Sequence, residues 1–166
     1  MPTPQASLDT IQDFLAQKRI AIVGISHDRR NLSVLLAKEL ANRGYDVVPV
    51  NPALSVILGR RCYRRVQDIE PPVDAALLMT SSQVTETVVQ DCAEAGIHRV
   101  WMYRGGGQGA VSTKAIEFCN QRGMCIVPGE WPYMFLPKSG GVHTFHGFLR
   151  KLFRRYPRHS HASTPR

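Results

Sequence analysis

The sequence predicts a doubly wound parallel α/β sheet, and three observations carry that expectation. Five short apolar segments recur at residues 20–23, 47–50, 75–79, 100–103 and 124–127. Their starts lie 24 to 28 residues apart, which gives each unit room for one strand and one helix. Each segment is a continuous apolar run without alternation, as strands buried on both faces of a parallel sheet require.

Taken in order, residues 8–16 place Leu8, Ile11, Phe14 and Leu15 on one side of an N-terminal amphipathic helix. The first strand leads through a polar loop into a helix at 33–42, where Leu36 lines up with Leu40 and Ala37 with Ala41. Gly44 stops that helix before the second strand. Residues 62–69 read as a short helix or turn ahead of Pro71-Pro72. The third strand feeds a helix at 84–95 with Val84, Val88, Cys92 and Ala95 on one face and Gly96 at its end. After the fourth strand, a helix at 112–122 aligns Ala115, Phe118 and Cys119, and Gly123 closes it before the fifth strand. Residues 145–153 carry Phe145, Phe148, Leu149 and Leu152 along one face of a basic helix, and 156–166 form a polar, Pro-interrupted tail expected to fray. The expectation is one Rossmann-like domain over residues 1–155, with a core at about 18–127 and a C-terminal helix at about 145–155. Its five parallel strands are expected in the order 3-2-1-4-5 with flanking N- and C-terminal helices, and the tail at 156–166 is expected to be disordered.

A chain of 166 residues builds one such domain without staples, and 43% hydrophobic residues exclude global disorder. No apolar run approaches the ~20 residues that cross a bilayer, and the N-terminus has no secretion-signal pattern, so the expected address is the cytoplasm. Cys62, Cys92, Cys119 and Cys125 include no C-x-x-C pair, which argues for small buried hydrophobes over a zinc or redox site. Of the net charge of +8, six positive charges (Arg150, Lys151, Arg154, Arg155, Arg158 and Arg166) fall after His143 with no acid among them. The body of the chain is therefore nearly neutral. A nucleic-acid-binding domain spreads such charge over a folded face. The stripe at Phe145, Phe148, Leu149 and Leu152 instead suits a helix packed on its own sheet edge or on a second copy in a homodimer.

In doubly wound sheets the ligand lies beyond the C-terminal strand ends, so the residues just after each strand are the candidates. After the first strand stands Gly24-Ile25-Ser26, then a polar loop to Ser33. Gly24 lets backbone approach a ligand, free N–H groups at the helix start favour a phosphate, and Ser26, Ser33, Arg29 and Arg30 add hydroxyls and charge. A β-branched side chain at Gly24 is expected to block the ligand while leaving the fold largely intact. The loop has one glycine and is not G-x-G-x-x-G; a tight strand-to-helix turn is the plain alternative. The second strand ends in Asn51-Pro52, where an NAD site places an acid for the ribose hydroxyls, which argues against NAD. The third ends in Thr80-Ser81-Ser82, suited to a pocket wall or a helix cap. The fourth ends in Tyr103-Arg104 and three glycines, a mobile lid or a loose connection.

The stretches IAIVGIS (20–26), GYDVVPVNP (44–52), ILGRRCY (57–63), VDAALLM (73–79) and AGIHRVWM (95–102), with Ser33, resemble the stand-alone coenzyme A-binding proteins. These are similar to the N-terminal domain of the succinyl-CoA synthetase α subunit. The resemblance covers about residues 18–127. It implies that Gly24, Ile25 and Ser26 cradle the pyrophosphate of coenzyme A, free or acylated. It further implies that Asn51 and Pro52 border the adenosine, that Thr80 and Ser81 line the crevice, and that Tyr103 and Arg104 stand opposite. Ser33 matches the serine usual at that place. Many relatives carry Cys-Pro after the last strand; here Trp131-Pro132 stands there, so no thiol-dependent role follows.

The implied function is non-catalytic binding of CoA or acyl-CoA, because no catalytic constellation is legible. His143 and His146 stand three apart, but no acidic residue follows Glu130 to complete a metal set, so no metal is expected. No G-x-S-x-G is present, and Asp68 and Glu70 read as a solvated turn. Two other classes stay open: an NAD(P)-binding oxidoreductase or redox sensor, and a nucleic-acid or acidic-partner module using the basic C-terminal helix.

Overall fold

A computed structural model of the chain describes residues 5–136. The basic helix expected at 145–155, His143, His146 and the tail at 156–166 lie outside the described residues. Strands β1 (Arg19–Val23), β2 (Asp46–Val50), β5 (Ala75–Leu78), β6 (Arg99–Met102) and β7 (Cys125–Pro128) form one parallel sheet. All five lie where the apolar runs placed them.

Helices α1 (Leu8–Leu15), α2 (Leu32–Asn42), α3 (Ser82–Glu94) and α4 (Thr113–Gln121) begin at side-chain caps from Ser7, Asn31, Ser81 and Ser112. Each cap accepts an N–H that the first helical turn leaves unpaired. Because strand side chains alternate, Ile20 and Ile22 face α1 and α2, while Ala21 and Val23 face α3, α4 and the 3-10 turn at Val66–Asp68. The result is a three-layer domain with helices on both faces.

The strand order is β2-β1-β5-β6-β7, which is 2-1-3-4-5 for the five sheet strands and corrects the expected 3-2-1-4-5. Two features put β2 at the edge. Pro49 in the middle of β2 has no N–H for a second ladder. Its carbonyl accepts from Tyr63 at 3.0 Å, so its nitrogen faces the same outer edge and the ladder to β1 loses nothing. The chain after β2 then occupies that edge itself. A short hairpin of β3 (Val56–Ile57) and β4 (Arg60–Arg61) turns through Leu58 and Gly59, both at positive φ, and Tyr63 pairs with Val50. With that flank filled, the third sheet strand docks on the far side of β1. This is the other common doubly wound order, and it sets the point of strand reversal between β1 and β5. The hairpin was not legible because its turn is Leu58-Gly59 where Asn-Gly or Asp-Gly is the usual signal.

Trp101 of β6 anchors one face. It is fully buried, meets Phe14 edge-on at 5.3 Å, and donates its indole N–H to the Glu130 carbonyl at 2.8 Å. Cys62, Cys92 and Cys119 are buried and Cys125 is exposed. Burial pushes the Cys119 thiol up to about 11 and raises Cys92 further, so both stay protonated and behave as hydrophobes. Trp101→Ala should cost about 3–5 kcal/mol in urea unfolding, because it empties a closed site and removes the indole donor from the Glu130 carbonyl. A loss under about 1 kcal/mol would show that Trp101 is not the anchor of α1.

Candidate functional site

Beyond the C-terminal ends of β1, β2 and β5 lies a crevice of about 590 Å³, within the range of small-molecule sites. Val23, Val50, Val66 and Val88 make its floor, and Gly24, Asn51, Pro52 and Thr80 stand at the strand tips. Arg64 and Arg65, just before the 3-10 turn, and Gln83, Val84, Thr87 and Asp91 of α3 complete the wall. Among the predicted residues, Gly24, Asn51, Pro52 and Thr80 thus share one crevice. Arg64, Arg65 and the α3 residues were not anticipated, since residues 62–69 read only as a short helix or turn unless the pairing of Tyr63 with β2 is known.

Gly24 sits at φ +86°, and a Cβ there would come within 2.8 Å of the Met79 carbonyl oxygen and 3.0 Å of the Thr80 methyl. The tips of β1 and β5 touch only because this residue has no side chain. The glycine is therefore demanded by packing as well as by ligand access, which corrects the expectation that a valine would leave the fold intact.

The loop from Gly24 to Ser33 is held by its own side chains. Ser33 is buried; its hydroxyl accepts from the Ser26 N–H at 2.9 Å and donates to Asn31 Oδ1 at 2.7 Å. The Ser26 hydroxyl accepts from the Asp28 N–H, and Asp28 accepts from the Arg30 N–H through its carboxylate and the Asn31 N–H through its carbonyl. The Gly24 N–H continues the ladder to Val50. From Gly24 to Arg30 every second N–H is thus taken within the chain. Those of Ile25, His27 and Arg29 have no partner among the described residues. Ile25 is fully buried, and a buried N–H calls for an acceptor. Ser26 and Ser33 organise the loop, and backbone N–H groups and the Ser26 hydroxyl proton are its free donors. Arg30 pairs loosely with Asp28 at 3.7 Å on the surface, while Arg29 is exposed with no ion pair among the described residues.

Asn51 fixes the loop from the other side. Its Nδ2 donates to the Ile25 carbonyl at 2.8 Å, and its Oδ1 accepts from the Ala53 N–H at 2.8 Å. The carboxamide thus joins the β1 loop to the β2 tip, and both of its ends are engaged within the chain. Ser81 caps α3 through the Val84 N–H. Thr85 gives its one hydroxyl proton to the Ser81 carbonyl at 3.1 Å, so Thr80 must be the donor in the 2.7 Å contact between the two threonines.

Tyr103 and Arg104 do not join this crevice. Tyr103 packs into the α1–α2 side of the core, burial holds its phenol protonated, and a side chain at Gly105 would displace its hydroxyl. The Arg104 guanidinium lies over Gly129, where a Cβ would stand 3.2 Å from it. Both residues serve the β6–β7 side of the sheet.

A second hollow of about 280 Å³ lies between α2 and the hairpin, lined by Ile25, Ala37, Ala41, Val47, Ile57 and Leu58 among others. It is smaller, lies on one flank of the sheet, and takes only Ile25 from the loop after β1, so the crevice at the strand tips is the better candidate. Among the described residues no group of three His, Cys, Asp or Glu could hold a metal, and no helix is long and apolar enough to cross a membrane.

Sheet and crevice together define a doubly wound α/β domain with a crevice at its reversal point. The model of the CoA binding domain family matches residues 18–130, and the chain belongs to that family. The chain is 26% identical over 110 residues to the uncharacterized protein YneT of Bacillus subtilis, a match covering 66% of this chain and 78% of that one. Against the ADP-forming acetate–CoA ligase II of Archaeoglobus fulgidus it is 25% identical over 146 residues, 86% of this chain but 21% of the ligase. The fold matches a hypothetical protein from Pyrococcus horikoshii with a TM-score of 0.70 at 27% identity, over 78% of this chain and 92% of that one.

Gly24→Ala should lower the stability of the ligand-free protein by more than about 1 kcal/mol, since it combines an unfavourable φ with a clash against backbone. Chemical denaturation in the absence of any nucleotide checks this. An unchanged midpoint would mean that the β1 and β5 tips are not in contact.

Proposed function

We propose that the chain is a non-catalytic binder of coenzyme A, free or acylated, in the crevice beyond β1, β2 and β5. The family match over residues 18–130 is the observation that carries this reading. The site chemistry supports it in three ways. The loop after β1 offers unpaired N–H groups to a pyrophosphate. The valine floor and half-exposed Val84 offer an adenine an apolar face. The β2 tip carries Asn51, already engaged, where an NAD site needs a carboxylate.

The crevice lining supports the non-catalytic part of this proposal: it includes neither His nor Cys among the described residues, and its one carboxylate, Asp91, is held by Arg65 and Gln67. Ligation belongs to the much longer ligases, and this chain spans about a fifth of the Archaeoglobus enzyme.

Thermal unfolding with CoA, acetyl-CoA, NAD, NADP, AMP and ADP tests the reading. CoA at a hundred times its dissociation constant should add about 2.7 kcal/mol, or about 5–10 °C in a domain of this size. NAD at the same concentration should add less. A larger shift with NAD than with CoA would overturn the proposal.

A further inference from the structure

We infer that Arg64 is a specificity residue that recognises a phosphate on the ribose of the bound adenine nucleotide, which in coenzyme A is the 3′-phosphate. The inference rests on the CoA reading above. The four arginines that follow the hairpin turn have different fates. Arg60 bridges to Asp46 and the Val47 carbonyl, Arg61 lies over the Tyr63 ring at 4.8 Å, and Arg65 pairs with Asp91 at 2.7 Å. Arg64 is exposed, lines the crevice, and has no hydrogen bond or ion pair among the described residues.

Its place in the fold gives that charge a meaning. Tyr63 pairs in parallel with Val50, and its carbonyl accepts from the Asn51 N–H at 2.9 Å, so Arg64 is one residue beyond the tip of β2. In doubly wound folds that tip is where the adenosine ribose lies. A carboxylate there reads unmodified ribose hydroxyls, whereas an arginine nearby accommodates a phosphate on the ribose. Here the Asn51 carboxamide is engaged at both ends, and the Asp91 carboxylate is offset by Arg65 and accepts a further bond from Gln67. The ribose end of the crevice therefore presents one uncompensated positive charge. Two ligands carry the matching group: coenzyme A at the 3′ position and NADP at the 2′ position.

Calorimetric titration of the wild type, Arg64→Gln and Arg65→Gln with CoA, 3′-dephospho-CoA, NADP and NAD separates the outcomes. The wild type should bind CoA about tenfold or more tighter than 3′-dephospho-CoA. Arg64→Gln should bind both at the wild-type level for 3′-dephospho-CoA, with an unchanged melting temperature, and Arg65→Gln should keep the preference. Equal wild-type affinities for CoA and 3′-dephospho-CoA would overturn the role of Arg64 and leave CoA binding standing. Equal weakening of both ligands by Arg64→Gln would overturn it too, placing the residue on the pyrophosphate. Loss of the preference in Arg65→Gln alone would move the role to that residue. Binding of NADP in preference to CoA, or no binding of either CoA form, would defeat the reading on which the inference rests.

Discussion

Where β1 ends, Gly24 passes the Met79 carbonyl at a distance no side chain tolerates, and the geometry of the crevice depends on that approach. Because the β1 and β5 tips touch, the loop after β1 must turn outward over the sheet before α2 can begin. Two side chains then set its path. Ser33, at the start of α2, holds the Ser26 N–H, and Asn51, at the tip of β2, holds the Ile25 carbonyl. Neither bond alone is worth more than about 0.5–1.5 kcal/mol net, but together they fix the loop on both sides and leave alternate N–H groups unspent.

This arrangement separates two tasks that the sequence reading had merged. Serines, an asparagine and a glycine near a phosphate loop look like ligand contacts when only their spacing is known. In the structure Ser26, Ser33 and Asn51 bond mainly to the chain itself, and the donors left over belong to the backbone of Ile25, His27 and Arg29. Preorganisation of this kind lowers the ordering cost of binding, since the loop is already shaped before a ligand arrives.

The five strands and helices α1 to α4 were legible because each is a continuous apolar run or a 3.6-residue stripe, closed by glycine in α2, α3 and α4, signals that depend only on local sequence. The order of the strands is a tertiary property, yet Pro49 carried a readable hint that β2 is an edge, since a proline there cannot serve two ladders. Arg64 was not legible. Its role depends on the pairing of Tyr63 with Val50 across a hairpin whose Leu58-Gly59 turn has no ordinary signature. Tyr103 and Arg104 were misplaced because position after a strand says nothing about which face the side chain takes. Alternation along β6 sends Trp101 and Tyr103 to the α1–α2 side, away from the crevice.

Backbone amides resolved one by one report on the central claim most directly. In a ¹⁵N-labelled protein titrated with CoA, the amide signals of Gly24, His27 and Arg29 should move most, joined by those of Arg64, Gln83 and Thr87 along the crevice. Signals of Ala37, Ala41, Ile57 and Leu58, which line the hollow on the far flank of β2, should stay in place. Large shifts confined to that second group, with the loop after β1 unmoved, would contradict the account.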